Sequence, residues 1–272
     1  MTRVLIVWED EYWQALDAVV RRALDTNKKS EESAPSVLGV TSRGNGNFQH
    51  FVESTWPNVR PKGTPSNRGS IDHLVCVIDG DKLHEIVATA SPITAVSDEV
   101  AKVQEWQRDA AVQWNSQLRA WAPKSVDPST VHGVVLSWSK ESLLLAGFDR
   151  EAFERVWAVD NSTTEHRAFI ESCNPRPDVT KAEDFTARYR KPRKCLDQLL
   201  ATHGTSLPSK SDPRIDDALR GLAREATSAL YDRVESLRTL TELLWRLHRA
   251  EPETAPTPLV TTTTKKNRKP SR

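Results

Sequence analysis

Three short apolar, β-branched runs stand out from an otherwise polar chain: residues 4–8 (VLIVW), 74–78 (LVCVI) and 131–136 (VHGVVL). Runs without polar alternation suit strands buried on both faces of a parallel sheet, where neither side meets water. A weaker run at 36–41 predicts a further short strand. Trp13, Leu16, Val20 and Leu24 recur at helical spacing and predict a helix over 13–24. A second helix is predicted over 97–121, with Ser97 as its N-cap and Asp98 and Glu99 complementing its positive end. Between 42 and 70, Gly44, Gly46, Gly63, Gly69, Pro57, Pro61 and Pro65 break the pattern into loops around a short helix at 48–54. The alternation predicts an α/β fold, a mostly parallel sheet flanked by helices.

After Ser137 the period becomes helical, over 140–146, 150–157, 194–202, 213–226 and 229–250. In the last of these, Leu230, Val234, Leu237, Leu240, Leu244 and Leu247 form a stripe that should pack on the body, or else attach the protein to a regulatory assembly. The expected division is a metal-binding core at 1–147, a helical region at 148–250 and a disordered basic tail at 251–272, which ends in KKNRKPSR.

Composition narrows the class. Hydrophobic residues make up 38% of 272, enough for a real core, and a net charge of +1 argues neither for nor against nucleic acid, so any such surface must be local. The three cysteines, Cys76, Cys173 and Cys195, are odd in number and lack CxxC spacing, which points away from a disulfide framework or zinc knuckle. No apolar run approaches the ~18–20 residues of a membrane span and no signal-peptide core is visible, so a cytoplasmic protein is expected.

The candidate chemistry lies where the strands stop. The first run ends in Glu9, Asp10 and Glu11; the second ends in Asp79-Gly80-Asp81-Lys82. A parallel strand delivers such residues to the carboxyl edge of the sheet, where ligands of α/β folds collect. Glu9, Asp79 and Asp81 would gather three negative charges there, a repulsion that a hard divalent cation, Mg²⁺ or Mn²⁺, relieves. A lone Glu9 would more simply cap the next helix, and Asp-Gly-Asp is also a common polar turn. Lys82 is a candidate for stabilising phosphate charge and His84 for moving a proton, each against the plainer reading of a solvated side chain.

The glutamate after the first strand and the Asp79-x-Asp81 pair after a later one resemble a Toprim domain. The resemblance implies Mg²⁺-dependent phosphoryl transfer with Glu9, Asp79 and Asp81 as ligands. SWSKESLLLAG at 137–147 is similar to a segment of stand-alone Toprim-like proteins of bacterial defence loci, including the effector class that accompanies ABC-type ATPases. That likeness implies a role for Glu141 and an ATPase partner. It covers roughly the first 150 residues in order of elements; the usual glycine after the first glutamate is Asp10 here, and RGNGN at 43–47 has no counterpart.

A nuclease needs cationic surface for phosphates. The densest cluster is ARYRKPRKC, with Arg188, Arg190, Lys191, Arg193 and Lys194 around Tyr189, which would stack on an unpaired base; a solubilising loop is the alternative. Arg43, Arg60, Lys62 and Arg68 populate a glycine-containing loop suited to closing over substrate, though its context is not that of a P-loop. Among nine tryptophans, Trp106, Trp114 and Trp121 sit at about helical spacing, as packing residues would, and Trp138 lies near Glu141. Two other readings compete. One is a non-catalytic adaptor of the same fold; the other is a receiver domain with Asp79 as phosphoacceptor and Thr94 and Lys124 as switch residues, whose spacing is wrong.

Overall fold

The structure is a computed structural model that describes residues 2–9, 13–28, 32–44, 47–59, 71–93, 100–136 and 234–250, together with Leu143, Arg193, Asp197, Arg220, Gly221 and Tyr231. Four strands, β1 (Arg3–Trp8), β2 (Ser36–Thr41), β3 (His73–Asp79) and β4 (Val131–Leu136), form an all-parallel sheet in the order β2-β1-β3-β4. The apolar runs are strands because both of their faces are covered. Val4, Ile6, Trp8, Val75, Val77, Val134 and Leu136 enter one core with helix α1 (Trp13–Thr26) and the last described helix (Glu235–His248). The alternate residues Leu5, Val7, Leu74, Cys76, Ile78, Val131 and Val135 enter the other.

That second face is covered by α2 (Asn47–His50), a π-helical turn (Phe51–Thr55), α3 (Trp56–Val59), α4 (Leu83–Ile86) and α5 (Val100–Trp121). We number the last helix α6. The helical stretch at 47–59 is longer than the 48–54 expected, and α4 was not anticipated: a single turn carries too little periodicity to read. The expected N-cap Ser97 lies outside the described residues. The tryptophan stripe is packing: Trp114 is fully buried, meets Phe48 and Trp121 edge to face, and donates its indole N–H to the Cys76 carbonyl at 3.1 Å.

Both outer strands are closed by helix side chains. On β4, Asn115 of α5 accepts the Gly133 N–H at 2.8 Å and donates to the Gly133 carbonyl at 3.0 Å, pairing with the strand as another strand would. Glycine is needed at 133, since a Cβ there would lie 2.5 Å from the Trp114 ring and hold α5 away. On β2, Arg21 of α1 donates to the Val37 carbonyl and pairs with the buried Asp17 at 2.6 Å.

The leucine stripe of α6 belongs to the body: Leu237, Leu240, Leu243, Leu244 and Trp245 are buried in the α1 core. Arg249 ties its end to Glu32 through two 2.8 Å hydrogen bonds. The helices expected over 140–146, 150–157, 194–202 and 213–226 lie outside the described residues except for Leu143, Asp197, Arg220 and Gly221, each helical. The tail at 251–272 lies outside them entirely. None of the described helices is long and apolar enough to cross a membrane.

Candidate active site

From β1 the chain passes first to β2 on one side and then to β3 on the other, so the strand order reverses between β1 and β3. Helices leave the carboxyl ends of these two strands on opposite faces of the sheet, opening a crevice where ligands of such folds bind. Glu9 and Asp79 flank it. The Glu9 N–H donates to the Val77 carbonyl at 3.1 Å, extending the β1–β3 ladder by one residue and fixing the side chain over the end of β3. Glu9 Oε2 then accepts the Asp79 N–H at 2.9 Å.

Beyond Asp79 the chain turns sharply. The Asp79 carbonyl accepts the Lys82 N–H at 3.0 Å, with Gly80 buried and Asp81 half-buried in the turn. Asp81 Oδ1 is shielded from solvent. Lys82 Nζ pairs with Glu85 Oε1 at 2.8 Å, both side chains well exposed. On the β2 side, Ser42 is buried and joins its N–H and its hydroxyl to the Trp8 carbonyl at 2.7 and 3.1 Å. This docks the following turn beside β1, with Arg43 at φ 57° and Gly44 at φ 105°. Arg43 is exposed on the same edge as the acids.

The electrostatics reflect this crowding. Glu9 is pushed from the ordinary 4.5 up to about 7, first by burial and then by the charges of Asp81 and Glu85; the Asp79 N–H and the Lys82 ammonium act in the opposite direction. Lys82 is raised, chiefly by its hydrogen bond to Glu85, with Asp81 and Glu9 contributing. The result, among the described residues, is a negatively biased strand end with the Lys82 ammonium beside it.

The structure thus brings together Glu9, Asp79, Asp81 and Lys82. Asp10, Glu11, Trp138, Glu141, Arg188, Tyr189, Arg190, Lys191 and Lys194 lie outside the described residues; Arg193 is helical and half-buried. His84 is exposed. Thr94 is also outside them, and Lys124 falls between α5 and β4, at the amino-terminal edge of the sheet. A lysine there is at the opposite end from Asp79, which removes it as a receiver switch residue. Glu85 and Ser42 were not anticipated. A Lys-to-Glu interval of three, suited to one helical turn, was the available signal for Glu85; nothing marked Ser42.

Among the described residues no three His, Cys, Asp or Glu side chains already converge on one point as a metal cage. The donor set nonetheless suits a hard cation. All three candidate ligands are carboxylates, and Glu9 sits where its own charge is disfavoured by Asp81. Compared with protein-family models, with curated proteins and with solved structures, the chain matches none.

Proposed function

We propose that this protein is a metal-dependent nuclease, or a related phosphoryl-transfer enzyme, of the Toprim-like type, with Glu9, Asp79 and Asp81 holding Mg²⁺ or Mn²⁺. The observation that carries the reading is the union of Glu9 and the Asp79-Gly80-Asp81 turn across the β1–β3 crevice by the 2.9 Å hydrogen bond. Two acidic segments 70 residues apart in sequence become one site. Bound there, the cation would supply Lewis-acid activation of water and neutralise charge on phosphate.

The chain's own residues have separable tasks. The Asp79 N–H orients Glu9, leaving the other carboxylate oxygen for a ligand. Lys82, tethered by Glu85, places positive charge at the rim where a phosphate would enter. Arg43 adds a second cation from the β2 side. The wider nucleic-acid surface is assigned to Arg188, Tyr189, Arg190, Lys191, Arg193 and Lys194, and Glu141 to the same site. A role as a defence effector with an ABC-type ATPase partner rests on the resemblance of residues 137–147, and a cytoplasmic location on the cysteine usage and the lack of a long apolar run.

The test is cleavage of transfer RNA, other RNA and duplex DNA with Mg²⁺, with Mn²⁺ and with chelator. Metal-dependent products from the wild type, absent with Asp79→Ala, Asp81→Ala, are expected. Equal cleavage by the double variant would assign the products to a contaminant. No cleavage by either would leave a non-catalytic adaptor.

A further inference from the structure

A second concave region lies beyond the edge of β4, toward the amino-terminal ends of the strands. It is a cavity of about 550 Å³ walled by β4, α5 and α6, within the range of small-molecule sites. His132, which faces it, pairs with Val75, four residues before Asp79 on β3; the two regions are thus roughly 13 Å apart along the strand.

Its wall carries a cation, Arg246, that has no counter-ion among the described residues. Trp245 is 4% exposed, and its indole Nε1 is shielded from solvent with no hydrogen-bond acceptor among the described residues. One residue on, Arg246 lines the cavity and forms no ion pair or hydrogen bond among the described residues. Arg249 also lines it, stacked 4.9 Å over the Trp245 ring and neutralised by Glu32. Glu242, the one acid of the wall among the described residues, accepts from the Tyr231 hydroxyl at 3.4 Å and forms no ion pair with Arg246, although it is one turn away. Asn115 is fully engaged by Gly133 and the Ala111 carbonyl.

A guanidinium that lines a cavity without a counter-ion calls for an anion. We infer that this cavity binds the oxyanion group of a small molecule, a phosphate or a carboxylate, through Arg246, with the Trp245 side chain in the wall beside it. The field agrees in sign: His132 is held neutral first by burial and then by positive neighbours that include Arg246 and Arg119. The inference stands on the cavity and its donors, independently of any metal chemistry at the carboxyl edge.

The experiment is a titration of the full chain with sodium phosphate, and separately sodium acetate, against sodium chloride at matched ionic strength. It is read at the ¹⁵N-indole resonance of Trp245, assigned through Trp245→Phe. A saturable shift in the wild type is expected, with affinity reduced tenfold or more in Arg246→Gln and retained in Arg246→Lys. The relative strength of phosphate and acetate identifies the oxyanion. Absence of a saturable shift in the wild type, or equal affinity in Arg246→Gln, would overturn the inference. If Arg246→Gln failed to fold, the wild-type titration would decide alone.

Discussion

The two ends of the sheet bury titratable groups with opposite results. At the carboxyl end an acid, Glu9, is pushed up to about 7; at the amino end a base, His132, is pushed down to about 3. Burial is the first cause of both, because a low-dielectric interior disfavours charge of either sign. The secondary causes separate the ends. Asp81 and Glu85 crowd Glu9 with negative charge, while Arg246 and Arg119, and His73 when it is protonated, set positive charge around His132. Within one parallel sheet, negative charge thereby gathers around the carboxyl end and positive charge around the amino end.

Trp114 is the side chain beneath both. Its ring fills the space under Gly133 and its N–H holds the Cys76 carbonyl in the middle of β3. Trp114→Ala should cost about 3–5 kcal/mol in urea unfolding, the range for an emptied aromatic site, and disturb both ends together. A loss below 1 kcal/mol would mean that α5 is not fastened there.

Gly133→Ala should follow at about 1–3 kcal/mol, because the Trp114 ring it meets is fully buried and cannot retreat. Gly39→Ala, on the opposite edge strand, also faces a close contact, 2.4 Å from Trp13 Cζ3. Trp13 is only half-buried and can swing outward, which leaves the 2.9 Å contact with Asp17 Oδ1 as the remaining strain, so this change should cost less. Thermal melts of the pair give the ranking, and the reverse order would contradict the packing described for β4.

The strands were legible because a strand buried on both faces leaves an unbroken apolar run, and the run at 131–136 coincides with β4. The acids were legible for the same reason, since a run that stops in carboxylates marks a strand end. The Glu9–Asp79 hydrogen bond was not: it depends on β1 and β3 being neighbours, a long-range pairing that no local pattern encodes. Asn115 as a substitute strand was equally hidden, for a lone asparagine on a helix carries no periodic signal. The anion-seeking cavity escaped because its wall joins β4 to a helix about 100 residues later, and because Arg246 alternates with leucines as any solvated residue would.

Metal-free stability should record the two ends with opposite slopes against pH. Glu9, raised in the fold from 4.5 to about 7, contributes stability that is complete below 4.5 and lost as pH rises toward 7. His132, lowered from 6.5 to about 3, contributes stability that is complete above 6.5 and lost as pH falls toward 3. The charged neighbours of His132 are His73, Arg246 and Arg119, and those of His73 are Asp72 and Asp127. Melting curves across pH 3–8 should show the alkaline slope flattened by Glu9→Gln and the acid slope reduced by His132→Gln. If either variant altered the other's slope, the ends would be coupled and the contrast would fail.

The smallest effect is expected at the rim. Lys82 and Glu85 form a well-exposed pair, so Lys82→Met should change stability by about 0–1 kcal/mol. Its consequence should be seen instead in a weaker dependence of substrate affinity on salt. A large stability loss would show Lys82 to be structural.

The most direct measurement is calorimetric titration of Mn²⁺ into the wild type and Glu9→Gln. Glutamine keeps an oxygen to accept the Asp79 N–H at the end of β3, so the fold is preserved while the charge is removed. Saturable binding to the wild type, weakened tenfold or more in Glu9→Gln at an unchanged or higher melting temperature, is the predicted result. Equal affinity in both proteins, or no saturable binding to the wild type, would contradict a metal site at the carboxyl edge.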